Sequence, residues 1–509
     1  NVKLETFVTC SKGTIHPYKS FSYSEISDLD YAYTNEFGTD PKEYDYYDYN
    51  RNEFEDWMVM ANLEIRTGER STLSIKPYYW SDKGYYLESV KLNNSSSYNK
   101  IRRWDIDHDL KGILAEYKTS VVGTDLDMGY LYHSQTRPGP PSSWKNYNVN
   151  SSTGQLAFDK WSLLSNNSSH ELHTLFIEGK HRFGDFRIDG GLKYVNYTLP
   201  SIITYHTAGI GDVSHDDAIA TNPAILADYS APETKTFSQV FPDVTVTRFI
   251  NDNLSLFAAY GENYVTHVDI YPYFIQQSSY FLGHSPEITF QQLWDRKVME
   301  ISKNFELGVH AKGSNWSLVP TIYYTRHNNK QAVLFDEALN AYYPMNNAEA
   351  EGYGFEVEGE YKPVENLRLY GSFSWNKFYF SQDILSDQTN SSIPVKGSQV
   401  PDAPEFLAKG MVSVKAGEFT ITPIARYTSV RYGDVLHKEK IDATTLFDLD
   451  LTWSSSMFGF KKVDCSLSFL NIFDKKYVSL ISTSDYKTLK TSYLPGAPFT
   501  LMATVSFHY

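Results

Sequence analysis

Strict alternation of apolar and polar side chains, repeated along most of this chain, limits its fold more than any other feature. In Leu501–Tyr509 the odd positions are Leu501, Ala503, Val505, Phe507 and Tyr509, and the even ones are Met502, Thr504, Ser506 and His508. Val59, Ala61, Leu63 and Ile65 likewise share one face, with Met60, Asn62, Glu64 and Arg66 on the other. Phe355, Val357, Gly359 and Tyr361 alternate with Glu356, Glu358 and Glu360, and Phe447, Leu449, Leu451 and Trp453 alternate with Asp448, Asp450 and Thr452. A period of two over about seven residues is the mark of a strand with two unlike faces. Glu64, Glu356, Glu358 and Glu360 cannot face hydrocarbon at an acceptable cost, so they are assigned to a wet lumen or a polar filling. The opposite faces, small and aliphatic with aromatics at strand ends, suit lipid.

The connections sort by length. Tight turns are expected near residues 68–71, 119–124, 183–185, 251–253, 312–315, 362–366, 415–418 and 455–461. Long polar loops are expected near 12–54, 81–101, 137–168, 200–234, 267–296, 327–347, 382–403, 431–444 and 472–498. Short turns on one side and long loops on the other describe an all-β, large antiparallel transmembrane β-barrel of the bacterial outer membrane, with periplasmic turns and extracellular loops. The turn pattern counts about 18 strands, the first running outward from Val2 and the last closing the barrel against the first strands.

Composition agrees. The chain has 40 Tyr and 30 Phe, enough for two interfacial girdles. Mean hydropathy is -0.42, and no run of about 18 apolar residues exists to form a spanning helix. A net charge of -15 argues against nucleic acid as a partner. Cys10 and Cys465, almost a chain length apart, make no disulfide framework and no thiol–metal spacing. There is no Gly-rich phosphate loop and no defensible nucleophile–base order, so no catalytic residue is assigned and an enzyme is not expected.

Several segments carry a family likeness. Leu470-Asn471-Ile472-Phe473-Asp474-Lys475-Lys476-Tyr477 and Pro495-Gly496-Ala497-Pro498 resemble the penultimate-strand signature and the final-strand approach of TonB-dependent outer-membrane receptors. Glu300–Gly308, Asn347–Glu358, Phe241-Pro242-Asp243 and Asn253–Gly261 are similar to other barrel segments of that family. The likeness is strongest from about residue 236 to 509. The resemblance implies about 22 strands, an N-terminal plug with a TonB-binding segment, and TonB, ExbB and ExbD as partners beside lipid and lipopolysaccharide. It also implies import of a scarce small-molecule ligand, foremost a ferric siderophore or similar metal chelate, with no resident cofactor. Here barrel-type alternation begins at Val2 and no plug-like sequence is seen, so residues 1–509 are assigned to the barrel alone. Truncation is the first expectation; a plug on a separate chain, or a lost one, is the alternative. A plugless pore or a structural barrel associated with other chains is the rival function.

Ligand-binding candidates lie in the loops. Tyr46, Tyr47 and Tyr49, and the cluster of Tyr271, Tyr273 and Tyr280, offer rings that could stack on a planar chelate, or else pack loop on loop. His215, beside Asp216 and Asp217 and near His206, could meet a metal but reads first as an exposed acidic loop. His267 and His284 share one loop. The Arg-Ala-Pro box that the family's haem receptors place before such a histidine is missing from Asn263–His267, so haem is not supported.

Overall fold

The structure, a computed structural model, describes residues 2–508 apart from 93–94, 96, 137–142, 266–268, 387, 458 and 483–490. Tyr509 and His267 therefore lie outside the described residues. The alternating segments become one continuous meander. Twenty-one strands share a sheet, and three of them, Ser143–Val149, Leu156–Asn167 and Ile202–Thr204, form an annex at its loop end.

The other eighteen strands make the wall. In chain order they are Val2–Ile15, Arg51–Gly68, Ser71–Val90, Lys100–Val121, Thr124–Thr136 and His170–Phe183. Then come Phe186–Leu199, Lys235–Asn251, Leu254–Val265, Glu300–Lys312, Trp316–Asp336 and Ala341–Val364. Leu367–Phe380, Phe406–Ala416, Phe419–Thr428, Thr444–Ser455, Lys462–Leu470 and Thr500–His508 complete it. Each pairs antiparallel with the next. The count from the turn pattern is met, and the 22 strands that the resemblance implies are not reached among the described residues.

One face of this wall is aliphatic. Ile177 stands opposite Leu192, Leu307 opposite Ile322 and Val357 opposite Phe373 across neighbouring strands. Most of these side chains are exposed in the bare chain, as a lipid-facing belt is. The other face carries ion pairs such as Lys76–Glu116, Lys118–Asp127 and Glu360–Arg368.

Glycines on that inner face have a shared purpose. Tyr78 lies across Gly112, where an added Cβ would meet its hydroxyl at 2.3 Å, and so reaches His133 on the strand beyond. Tyr323 crosses Gly354 in the same way to donate to Asn376 at 2.8 Å, and Phe257 crosses Gly308. The first two of these ring-over-glycine contacts each tie three strands together, and in all three a side chain in place of the glycine would block the ring. They give Gly308 and Gly354, both inside family-like segments, a packing reason.

Two expectations change. Residues 81–101 and 327–347 are expected to be loops, yet the strands run to Val90 and restart at Lys100, and four residues join Asp336 to Ala341. Leu334, Tyr343, Met345, Ala348 and Ala350 are buried there against other loops rather than lipid, so polar neighbours disguise a strand. The last strand also does not close on the first. Among the described residues Val2–Ile15 pairs only with Arg51–Gly68, and Thr500–His508 only with Lys462–Leu470. Their join is made higher up, by loops. Phe21 and Tyr493 exchange two backbone hydrogen bonds of 2.9 Å, and Tyr33 donates to the Gly496 carbonyl at 2.8 Å.

Candidate functional site

The loop side of the wall forms a continuous rim around a vestibule. Residues 16–50 contact 471–499 through Phe21, Ile26, Val478, Ile481 and Tyr493. They also reach the annex, where Tyr49 donates to the carbonyls of Pro41 and Gly154. Farther round, Arg431 bonds Asp402 at 2.8 Å and the Val478 carbonyl at 2.6 Å, which returns the chain of contacts to its start.

The family-like segment at 470–477 is part of this rim. Asn471 and Asp474 adopt positive φ of 51° and 50°, conformations that short polar side chains tolerate. The Asn471 amide donates to the carbonyls of Lys475 and Ala497, each at 3.0 Å, and Asp474 accepts from the Phe499 N–H at 2.9 Å. Gly496 is needed because the Tyr477 ring lies 2.1 Å from where its Cβ would stand.

Opposite this join, the segment between the strands ending at Val265 and starting at Glu300 folds inward as two helices, Tyr271–Leu282 and Phe290–Asp295. Pro272 suits the first turn of one, and a Thr289–Gln292 capping box starts the other. Phe274, Phe281, Phe290 and Trp294 pack these helices against Val195, Tyr197 and Leu199 of the inner wall and against Tyr343 and Phe380. Gln277 fixes the longer helix to a strand. Its side chain donates to the Tyr342 carbonyl at 2.5 Å and accepts from the Tyr342 N–H at 2.8 Å. We call this two-helix unit the cap.

The sequence candidates separate by burial. Tyr271 and Tyr273 belong to the cap core, and Tyr271 meets the Thr204 hydroxyl at 2.7 Å. Tyr49 is buried as well, so in this conformation these three rings offer loop-to-loop packing and no face to a ligand. Tyr47 and Tyr280 are exposed, and Tyr46 packs edge-on against both Tyr47 and Tyr49. His215 corrects its expected exposed loop. It starts a helix, His215–Thr221, is buried, and meets the Ser165 carbonyl at 2.7 Å. Asp216 and Asp217 occupy the first turn of that helix, where negative charge is favoured. His284 is half-buried with Nδ1 at 3.0 Å from the Pro286 carbonyl. Among the described residues no group of three or more His, Cys, Asp or Glu is placed to hold a metal ion.

Glu356, Glu358 and Glu360 lie on the face opposite Val357 and Phe373, with the Ser374 hydroxyl donating to Glu356 at 3.2 Å. Glu360 accepts from Arg368 at 2.6 Å, and Glu64 from Asn62 at 3.2 Å. At the turn end a mixed-charge cavity of about 600 Å³ is lined by Arg70, Lys118, Asp127, Glu178 and Lys180. Just ahead of the cap's first helix, burial pushes the Asp269 carboxyl up to about 6, partly offset by the Tyr271 N–H and Lys297. Sequence reasoning missed Gln277, Asp269 and the inner-wall pair His133 and His170. For the last two the signal was available, since both fall on the inner positions of alternating strands.

Comparisons with known proteins bear on this arrangement. The family model described as TonB dependent receptor-like, β-barrel matches residues 10–473. No curated protein matches the chain. Among solved structures it is similar to the unliganded ferric citrate transporter FecA, with 15% identity and a TM-score of 0.67 over 98% of this chain and 66% of that one. The siderophore receptor PiuA from Acinetobacter baumannii matches with 13% identity and a TM-score of 0.68, over 100% of this chain and 72% of its own. The ferric yersiniabactin uptake receptor FyuA from Yersinia pestis matches with 13% identity and a TM-score of 0.62, over 90% of this chain and 62% of its own. The chain thus spans less than two thirds of the FecA and FyuA structures, and at these identities the likeness is one of fold.

Proposed function

The chain belongs to the TonB-dependent receptor-like β-barrel family, a family of receptors and transporters, and from that premise we propose that it forms the wall and ligand vestibule of an uptake receptor in the bacterial outer membrane. The ligand is a ferric siderophore or comparable metal chelate, taken up with energy delivered through TonB to a plug held against the inner wall. One observation carries the reading: a rim of interlocked, aromatic-rich loops stands over a wall that is aliphatic outside and charged inside. Such a rim gives a planar chelate rings to stack on at the mouth, while the lumen below keeps polar contacts for a filling domain.

The test uses the purified barrel in detergent. Buried Trp104, Trp144, Trp161 and Trp294 at the loop side provide the fluorescence. Titration with ferric citrate, a ferric catecholate and a ferric hydroxamate should give saturable quenching by at least one, at micromolar concentration or below, and none by the iron-free chelators. Failure of all three, together with steady ohmic conductance in a planar bilayer, would replace this reading with the plugless pore.

A further inference from the structure

We propose that His133 and His170 form a docking site for a borderline divalent transition-metal ion, Cu²⁺ foremost, on the inner wall below the cap. His133 lies on the strand Thr124–Thr136, and His170 opens the neighbouring strand, His170–Phe183. The register sets Gln135 opposite His170 and His133 opposite Leu172, so the two imidazoles are diagonal neighbours on one face. Their ring centroids are 6.2 Å apart with planes at 68°. A metal about 2.0–2.1 Å from a ring nitrogen lies roughly 3.2 Å from that ring's centroid. Two rings sharing one ion can therefore be separated by up to about 6.4 Å, and this pair falls inside that limit.

Both rings are held. The Tyr78 hydroxyl engages His133 Nδ1 at 2.8 Å, which leaves Nε2 as the nitrogen available to a ligand. That contact exists because Gly112 opens the path between them. The Tyr197 ring stands edge-on to His170 at 4.5 Å. A hydrogen-bonded partner on the far nitrogen is how ligating histidines are usually oriented. Meanwhile Nε2 of His170 is buried and meets no hydrogen-bond partner among the described residues. A buried, unpaired imidazole nitrogen costs free energy unless something else satisfies it, and a cation would.

Imidazole nitrogens suit Cu²⁺, Zn²⁺ and Ni²⁺, and the affinity order for such sites peaks at Cu²⁺. Among the described residues two protein donors converge here, so the remaining coordination positions are left to donors brought by the ion's own carrier. The site is thus suited to handing a metal on rather than locking it in place. It stands apart from the ferric-chelate reading, which is tested with other ligands and survives if this one fails.

The experiment is a Cu²⁺ titration of the purified barrel followed by electron paramagnetic resonance. One equivalent should bind with superhyperfine splitting from two nitrogens. His170→Asn and His133→Gln should each reduce that splitting to one nitrogen and lower affinity at least tenfold, and His310→Ala, on the distant strand Glu300–Lys312, should change neither. Tyr78→Phe keeps both ligands and should weaken binding by about 10- to 100-fold, the range for removing an orienting partner. A wild-type spectrum without two-nitrogen coupling, or unchanged affinity in the two histidine variants, would show that the pair only packs. If either histidine variant fails to fold, as judged by heat-modifiable gel migration, Tyr78→Phe decides: unchanged affinity overturns the site.

Discussion

Gln277 does for the cap what a strand backbone does for a sheet, and replacing it tests how the cap is held. The ladder between Ala341–Val364 and Leu367–Phe380 ends at Ala350 and Phe380. Tyr342, farther out, pairs on one side with Phe335 and on its other edge offers an N–H and a C=O. The Gln277 amide, 3% exposed, answers both. In Gln277→Ala two hydrogen bonds of about 1 kcal/mol are lost, and a donor and an acceptor in a dry site are left unpaired at about 1–3 kcal/mol more. The expected cost is roughly 3–5 kcal/mol, which raises the opening equilibrium of the cap about 100- to 4000-fold at 1.4 kcal/mol per factor of ten. Hydrogen exchange reads this directly. Amides of Tyr271–Leu282 and of Tyr342 should lose protection together, while amides of Trp316–Thr325 stay protected. The neighbouring Gln276→Ala is the control, because among the described residues that half-buried side chain bonds only the Pro272 carbonyl of its own helix, at 3.3 Å. If Gln277→Ala exchanges no faster than Gln276→Ala, the latch does not hold the cap.

Three further outcomes are expected. Val122 and Gly123 form a two-residue turn with φ of 49° and 75°, and Val122, 92% exposed, is strained there as a β-branched residue. Val122→Asn should stabilise the barrel by about 1 kcal/mol, read as a higher urea midpoint for refolding into lipid, and a lower midpoint would refute the turn. Spin labels at Val357 and Glu358 should report oxygen-rich lipid and a water-soluble relaxant respectively, and the same environment at both would sink the two-faced wall. Asp269, raised to about 6, holds its proton better in the packed cap than in an open one. Cap stability should therefore be greatest below about pH 4, fall as pH rises through about 6, and stay flat above that. Asp269→Asn should remove this slope from the urea midpoint of the cap transition, and an unchanged slope would assign it to another group.

The wall was legible because lipid and lumen impose opposite demands on successive residues, and that demand leaves a period of two in the text. All eight short turns fell where alternation broke, including Asp252–Asn253 and Glu365–Asn366. Loop organisation was far less legible. Tyr271, Tyr273 and Tyr49 have the composition of ligand-contacting rings, and nothing local says that Phe290 will pack on Tyr271 or that Gly154, remote in sequence, will engage Tyr49. Strand extensions such as Ala341–Met345 were hidden for a related reason. Their apolar face is buried by the cap rather than by lipid, so length and polarity no longer follow the membrane rule. Closure escaped the sequence too, since an alternating strand such as Thr500–His508 specifies a face and a direction but not which edge it will meet.

The two halves of the rim differ in what their movement would cost, and this decides which one can admit a ligand. Residues 16–50 and 471–499 join the first and last wall strands, which share no ladder among the described residues. Those two edges have no ladder partner among the described residues, so moving that contact would let the first and last strands part, with exposed aliphatic side chains on both. The cap is attached differently. Its helices pack on Val195 and Tyr197, fixed by ladders on both sides, and on Leu199, fixed on one, so its release leaves the wall paired. Within the cap, Phe274, Phe281 and Phe290 are fully buried against one another and cannot be exposed singly at low cost. Opening is therefore expected to be a concerted motion of Tyr271–Asp295, with the Phe21–Tyr493 join left in place.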